Sequence, residues 1–294
     1  FAAARNAVLS RSSADYNLIL DADEWIEEGG EHITALREQR QPKVYLLKVR
    51  STLQQHTSDI QSFNWLMRLL PRGVRYRGRV HEQPHHRLPT ERLDVTLGHD
   101  GYTPQLLKAK RGRNRALLLQ QLAENPEDAY VLYQLGKDDD VYTGAESAVA
   151  YYWKALELAN PRASYRHDLI MRLLVCLPMI GQSDKALMLA ADEMPRWQHS
   201  ADFHYLAAEV MLKHFQENPH QGRDLLPMVE HCLTTALKLG DTTDLSGSLA
   251  GRGSYLAADK LWALHAARGE TEKATFYATL RDELHVVHKA TVST

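Results

Sequence analysis

Asp21-Ala22-Asp23-Glu24 follows directly on the apolar run Leu18-Ile19-Leu20. Aspartate is a poor strand former, and an unpaired carboxylate is costly to bury. Two of them, one residue apart at the end of a buried strand, suit a ligand site better than a packing role. Asp21 and Asp23 in that spacing can hold a divalent magnesium or manganese ion, which takes oxygen ligands and keeps phosphate and water oxygens in its shell. An ion so held would neutralise a departing diphosphate.

A second constellation is Tyr76-Arg77-Gly78-Arg79-Val80-His81-Glu82. His81 can complete a metal shell, and Glu82 can take a proton from a hydroxyl as general base. By residue type alone, the same pair also suits an exposed polar turn. Arg68, Arg72, Arg75, Arg77 and Arg79 crowd this region, and strand alternation puts Arg75, Arg77 and Arg79 on one face. Guanidinium forks suit phosphate oxygens, although a solvated strand face reads the same way. His81-Glu82-Gln83-Pro84-His85 also matches the zinc-protease pattern H-E-x-x-H, which needs both histidines on one helical face. Pro84 would break that helix. Arg5 and Asn6 reach the same pocket if the opening helix packs beside the strand that ends at Asp21. His99 and Tyr102 flank a glycine-rich turn at a strand end, where they either line the pocket or close the domain.

The elements that must position these groups change character along the chain. Residues 1–12 suit a helix with Phe1, Ala4, Val8 and Leu9 on one side. Strands are expected at 16–20, 44–49, 63–70, 74–80 and 95–97, with a turn at Pro71-Arg72-Gly73 and a helix after Gly29-Gly30 carrying Ile33 and Leu36. Helix and strand in this order argue an α/β domain. Its ligands would lie outside the carboxyl ends of the strands, where Asp21 and Asp23 stand.

From about Leu106 the pattern is helical and repeats. Leu132, Leu135, Gly136, Ala148, Tyr152 and Ala155 fit a 34-residue helix-turn-helix unit of the tetratricopeptide kind. Ile170, Leu173, Gly181, Ala186 and Ala190 fit it again, as do Ala258, Leu261, Gly269, Ala274 and Ala278. An insertion interrupts the series near Asn218-Pro219-His220. Such units are stable when stacked, so three or four in succession are self-consistent. The predicted division is therefore 1–105, α/β, and 106–294, all-α. Tyr151, Tyr152, Trp153 and Trp197 are the aromatic candidates for the concave face of the repeats, which could present an acceptor protein, a lipid-linked glycan or a second subunit. Helix spacing alone accounts for most of them as core.

The 294-residue chain carries a formal net charge of −2. Its first 115 residues hold more Lys and Arg than Asp and Glu, and the remainder reverses this. A basic front part with an acidic strand end fits an anionic ligand bridged by a metal. No basic stripe with interleaved aromatics points to nucleic acid. No run approaches the roughly 20 apolar residues of a membrane span. Cys176 and Cys232 sit in apolar helical patterns and read as buried free thiols, fitting a reducing, cytoplasmic setting.

Together, Phe1-Ala2-Ala3-Ala4-Arg5-Asn6, Leu18-Ile19-Leu20-Asp21-Ala22-Asp23-Glu24 and Arg77-Gly78-Arg79-Val80-His81-Glu82 resemble the family 2 glycosyltransferases. The resemblance is strongest to members with a C-terminal tetratricopeptide tail. His99-Asp100-Gly101-Tyr102 and the basic stretch at 108–115 are similar to the junction in those members. The resemblance implies a GT-A fold, a nucleotide-sugar donor, a divalent metal and displacement with inversion. It implies Asp21 and Asp23 as the D-x-D pair, with Asp23 the more direct metal contact, and His81 at the metal or diphosphate. Arg5, Asn6, Asp21 and Arg79 would attend the donor. Glu82 would be the base, with Asp100 as the other carboxylate able to serve.

Family members also carry strands and helices ahead of the segment matching Phe1, holding base and ribose. This chain is accordingly expected to be the C-terminal portion of such a domain, binding donor weakly or not at all, without useful turnover. The acceptor, whether protein, glycan or lipid-linked glycan, is not specified by any of these residues. Two other functions fit parts of the pattern. One is an interaction scaffold whose transferase part is a remnant, and the other a phosphohydrolase using Asp21, Asp23, His81 and Glu82.

Overall fold

A computed structural model describes residues 1–36, 41–55, 58–99 and 112–292. Strands β1 (Tyr16–Leu18), β2 (Glu24–Glu28), β3 (Val44–Gln55), β4 (Ser58–Pro71) and β7 (Thr90–His99) form one sheet in the order β1-β4-β3-β7-β2. A separate two-stranded ribbon joins β5 (Arg75–Arg77) to β6 (Gln83–His85). Helix α1 (Ala2–Leu9) packs on the β5 side, burying Ala2 and Leu9 with Val44, Leu70, Val74 and Tyr76. The short α2 (Gly30–Ala35) places Ile33 beside a second cluster of Tyr45, Leu47, Val49, Leu69, Val95 and Leu97.

The sheet departs from the α/β expectation. Among the described residues only β3 and β7 run parallel, and the other pairs in the sheet are antiparallel. The rule for open parallel sheets therefore does not place the ligand. Asp21 instead lies in the short connection between β1 and β2. The strand expected over 74–80 shrinks to Arg75–Arg77 and pairs with β6, because Gly78 at φ +105° and His81 at φ +50° turn the chain back. Arg75, Arg77 and Arg79 therefore do not share a strand face. The ribbon also removes the helix that a zinc-protease reading of His81 and His85 requires.

Among the described residues, ten α-helices follow: α3 (Arg113–Glu124), α4 (Ala129–Tyr142), α5 (Ala145–Leu158), α6 (Arg166–Met179), α7 (Ser183–Trp197), α8 (Ala201–Glu217), α9 (Pro219–Gly222), α10 (Leu226–Leu239), α11 (Tyr255–Ala267) and α12 (Thr271–Val292). Neighbours pack in sequence, and α6 also packs on α8, as in stacked helix pairs. The small residues of the repeat pattern do physical work. A Cβ on Gly136 would collide with the Tyr152 ring, so glycine there lets α4 and α5 close. Gly181 and Gly269 take φ of +70° and +71°, and paired backbone bonds around them close a left-handed C-cap. Cys176 and Cys232 are buried and unpaired. No described helix is long and apolar enough to cross a membrane.

The predicted boundary at 105 lies outside the described residues. Beyond it, the helical part reaches back into the sheet. Between α10 and α11 the short strand β8 (Ser248–Leu249) pairs with β4 at Ser62 and Phe63. β1 pairs with Pro71, Leu70 and Leu69 of β4, so β1 and β8 lie end to end on the β4 edge away from β3. Trp65 donates its indole N–H to Thr243 O at 2.7 Å and stacks under Arg92. At the other junction Val80 packs with Leu118, Val131 and Leu135, and Gln83 donates to the Tyr130 hydroxyl at 2.8 Å.

Candidate active site

Two distant segments converge on Asp21. Arg5 from α1 donates Nη2 to Asp21 Oδ1 at 2.5 Å and Nε to Glu82 Oε1 at 2.6 Å. Arg68 from β4 donates to Asp21 Oδ2 at 2.8 Å and also pairs with Glu24. Glu24 Oε2 accepts the Asp21 backbone N–H at 3.0 Å. Burial alone would raise the Asp21 carboxyl, but the charge and hydrogen bond of Arg68, then those of Arg5, outweigh it and hold it below the usual carboxylate range. Arg5 thus bridges Asp21 and the nearly buried Glu82, while its guanidinium stands 5.3 Å from the centre of the Tyr76 ring.

Asn6 is placed differently. Its side-chain amide donates to Tyr76 O at 2.9 Å and accepts from Tyr76 N at 2.8 Å, pinning α1 to β5. Arg79 turns away toward α3, where its guanidinium pairs with Glu124 and its N–H donates to Gln121 at 2.9 Å. His81 is exposed on its turn. Asp100 and Tyr102 lie outside the described residues.

Asp23 belongs to another group, which sheet register assembles. Glu24 faces His99 across β2 and β7, and Ser51 faces His99 across β3 and β7. His99 Nε2 lies 3.5 Å from Asp23 Oδ2, and its Nδ1 is 3.0 Å from the Ser51 hydroxyl. Gly98 leaves room for the Trp25 ring to lie across β7 beside this pair.

The two aspartates therefore differ in their fitness for a metal. Both oxygens of Asp21 are engaged by arginines, so Asp21 does not offer a free ligand. Asp23 is one-third exposed, and with His99 it presents an oxygen and a nitrogen at a separation one ion can span. In the tautomer where Nδ1–H donates to Ser51, Nε2 carries its lone pair toward Asp23, as in metal-bound histidines whose other ring nitrogen donates to a neighbouring oxygen. Among the described residues no three His, Cys, Asp or Glu side chains converge on one point. An ion here would thus take its remaining ligands from phosphate and water oxygens. Sequence reasoning did not pair His99 with Asp23 or single out Ser51. The cue was available in the position of His99 at a strand end, but the register that brings it to Asp23 is tertiary.

No protein-family model matches the chain. It is similar to the SPbeta prophage-derived glycosyltransferase SunS of Bacillus subtilis strain 168, with 23% identity over 246 residues, covering 80% of this chain and 57% of the relative. The glycosyltransferase SunS of Bacillus phage SPbeta matches with the same figures. The chain thus spans little more than half the length of these curated relatives. Among solved structures, MamA (residues 41 to the end) from Desulfovibrio magneticus RS-1 aligns with 17% identity, 62% of this chain, 93% of that one and a TM-score of 0.47. YrrB, described as a TPR protein with an unusual peptide-binding site, aligns with 16% identity, 63% of this chain, 84% of that one and a TM-score of 0.46.

Proposed function

We propose that this chain is part of a glycosyltransferase of the GT-A type that moves a sugar from a nucleotide-sugar donor to an acceptor. The observation that carries the reading is the Arg5 bridge, which gathers Asp21 and Glu82 from segments 61 residues apart into one ionic cluster. The distant similarity to SunS, spread over most of the chain, supports the same class. Glu82 takes the proton of an acceptor hydroxyl as that oxygen bonds to the anomeric carbon. The bond from that carbon to the diphosphate oxygen breaks, and the diphosphate leaves with the electron pair. Attack from the face opposite the leaving group inverts the anomeric centre. Arg5 Nε, bonded to Glu82 Oε1, aims that carboxylate. A divalent cation held by Asp23 and His99 would stabilise the leaving diphosphate. Asp100 is the other carboxylate proposed for the base. The acceptor is a protein, a glycan or a lipid-linked glycan, and the unpaired cysteines suit the cytoplasm.

The alternative is a tetratricopeptide scaffold that binds a protein through its helices. The full-length product of the gene separates the two. With manganese and a panel of nucleotide sugars, Asp23→Ala should lower donor affinity more than tenfold. Glu82→Gln should cut turnover by a factor of about 10²–10⁴ with donor binding retained. A protein that binds no nucleotide sugar, or in which both variants match wild type, is not a transferase of this kind.

A further inference from the structure

The Tyr76 ring is a core residue, 5% exposed and packed with Ala2, Leu9, Val44, Leu70 and Val74. Its hydroxyl has no such explanation. It is buried without a hydrogen-bond partner, within the field of Arg5, Arg68, Glu82 and Asp21. Phenylalanine would fill the same space without leaving a donor unpaired. Arg68, 7% exposed, shows the same feature: Nη2 bridges Asp21 and Glu24, yet its Nε–H is buried with no acceptor. Buried polar groups in native proteins are nearly always paired. Two unpaired donors in one ionic cluster therefore point to an absent acceptor oxygen. The cluster opens to solvent through Asp21, whose side chain is 41% exposed.

The surrounding charge selects the class of ligand. Two guanidinium groups, Arg5 and Arg68, face three carboxylates, Asp21, Glu24 and Glu82, leaving one negative charge uncompensated. A phosphate or carboxylate oxygen would enter against that charge. A neutral hydroxyl would not, since it accepts from Tyr76 or Arg68 and donates to a carboxylate. We propose that the Tyr76 hydroxyl and Arg68 Nε seat a hydroxyl group of an uncharged sugar, on the donor or the acceptor. This rests on the transferase reading and makes it more specific.

Tyr76→Phe in the full-length gene product tests it, because the variant keeps the ring and its packing. Without ligand, Tm should rise by about 2–4 °C, since a buried unpaired donor has been removed. Affinity for an uncharged sugar should fall about tenfold. If the donor sugar fills the seat, UDP-glucose, UDP-N-acetylglucosamine or GDP-mannose weakens while UDP and GDP do not. If the acceptor sugar does, methyl glucoside weakens in saturation-transfer NMR while the nucleotide sugars do not. An unchanged or lower Tm overturns the proposal, because the hydroxyl is then already satisfied by protein or water. Equal sugar affinity in both proteins, with nucleotide binding present, also overturns it and leaves the transferase reading standing. Failure of wild type to bind any of these probes removes both.

Discussion

Asp21 in the sheet and Asp168 in the helical array each sit between cationic side chains, and the two clusters are built to opposite ends. Asp168 on α6 accepts from the Tyr133 hydroxyl and from Arg172 Nε, the latter at 2.8 Å. Arg172 continues to Asp140 at 3.0 Å, and Tyr152 reaches Asp140 from α5. Gly247 of the segment leading into β8 closes the cluster, since any Cβ there would meet the Asp168 carboxyl. None of these polar atoms is left buried without a partner. Around Asp21, by contrast, the mouth is open and two donors lack acceptors. A completed ionic network holds a fold together. The Asp21 network instead keeps two buried donors, the Tyr76 hydroxyl and Arg68 Nε, without acceptors.

The largest effect should come from breaking the completed cluster. Asp168→Asn leaves Arg172 facing one carboxylate fewer in a buried site and should cost about 3–5 kcal/mol in urea denaturation. A loss under 1 kcal/mol would show that the two clusters are not so different.

Acid should act on the same group. Burial alone would raise the Asp168 carboxyl, but Arg172, Lys137 and the bonds from Tyr133 and Arg172 bring it down to about 2, against an ordinary 3.8. Its folded pKa lies below its unfolded one. Its contribution, about 2 kcal/mol, is therefore complete above about pH 4 and is lost as pH falls toward 2. The stability profile of Asp168→Asn should lack that component of the acid limb, and parallel profiles would contradict the assignment.

Asp21→Ala sharpens the comparison from the other side. The carboxylate is more than a third exposed and its pairs are screened by water, so the loss should be about 1 kcal/mol. Calorimetric melting would measure it. A loss as large as that of Asp168→Asn would make Asp21 a structural anion.

Much of the helical array is legible in the sequence. Gly136, Tyr152, Gly181 and Gly269 stand where close packing or a left-handed turn requires them, and local spacing of 3.6 residues per turn reports such needs directly. The sheet was harder to read. Glu24–Glu28 carries three carboxylates and leaves Trp25 and Ile26 exposed, so the edge strand β2 has little of the apolar alternation that announces a strand. The run at 74–80 looks extended, yet Gly78 and His81 bend it into a ribbon.

Residue types and their local order determined the change from mixed sheet to helical pairs, the carboxylates able to bind or to catalyse, and the burial of both cysteines. Tertiary structure alone decided which carboxylate meets which partner. Asp21 is matched to Arg5 and Arg68, and Asp23 to His99, by strand register and helix docking over separations of 16, 47 and 76 residues. Sequence periodicity describes which way a side chain faces its own element. It carries no information on which distant segment will be packed against that face, and the division of roles between Asp21 and Asp23 depends on that packing.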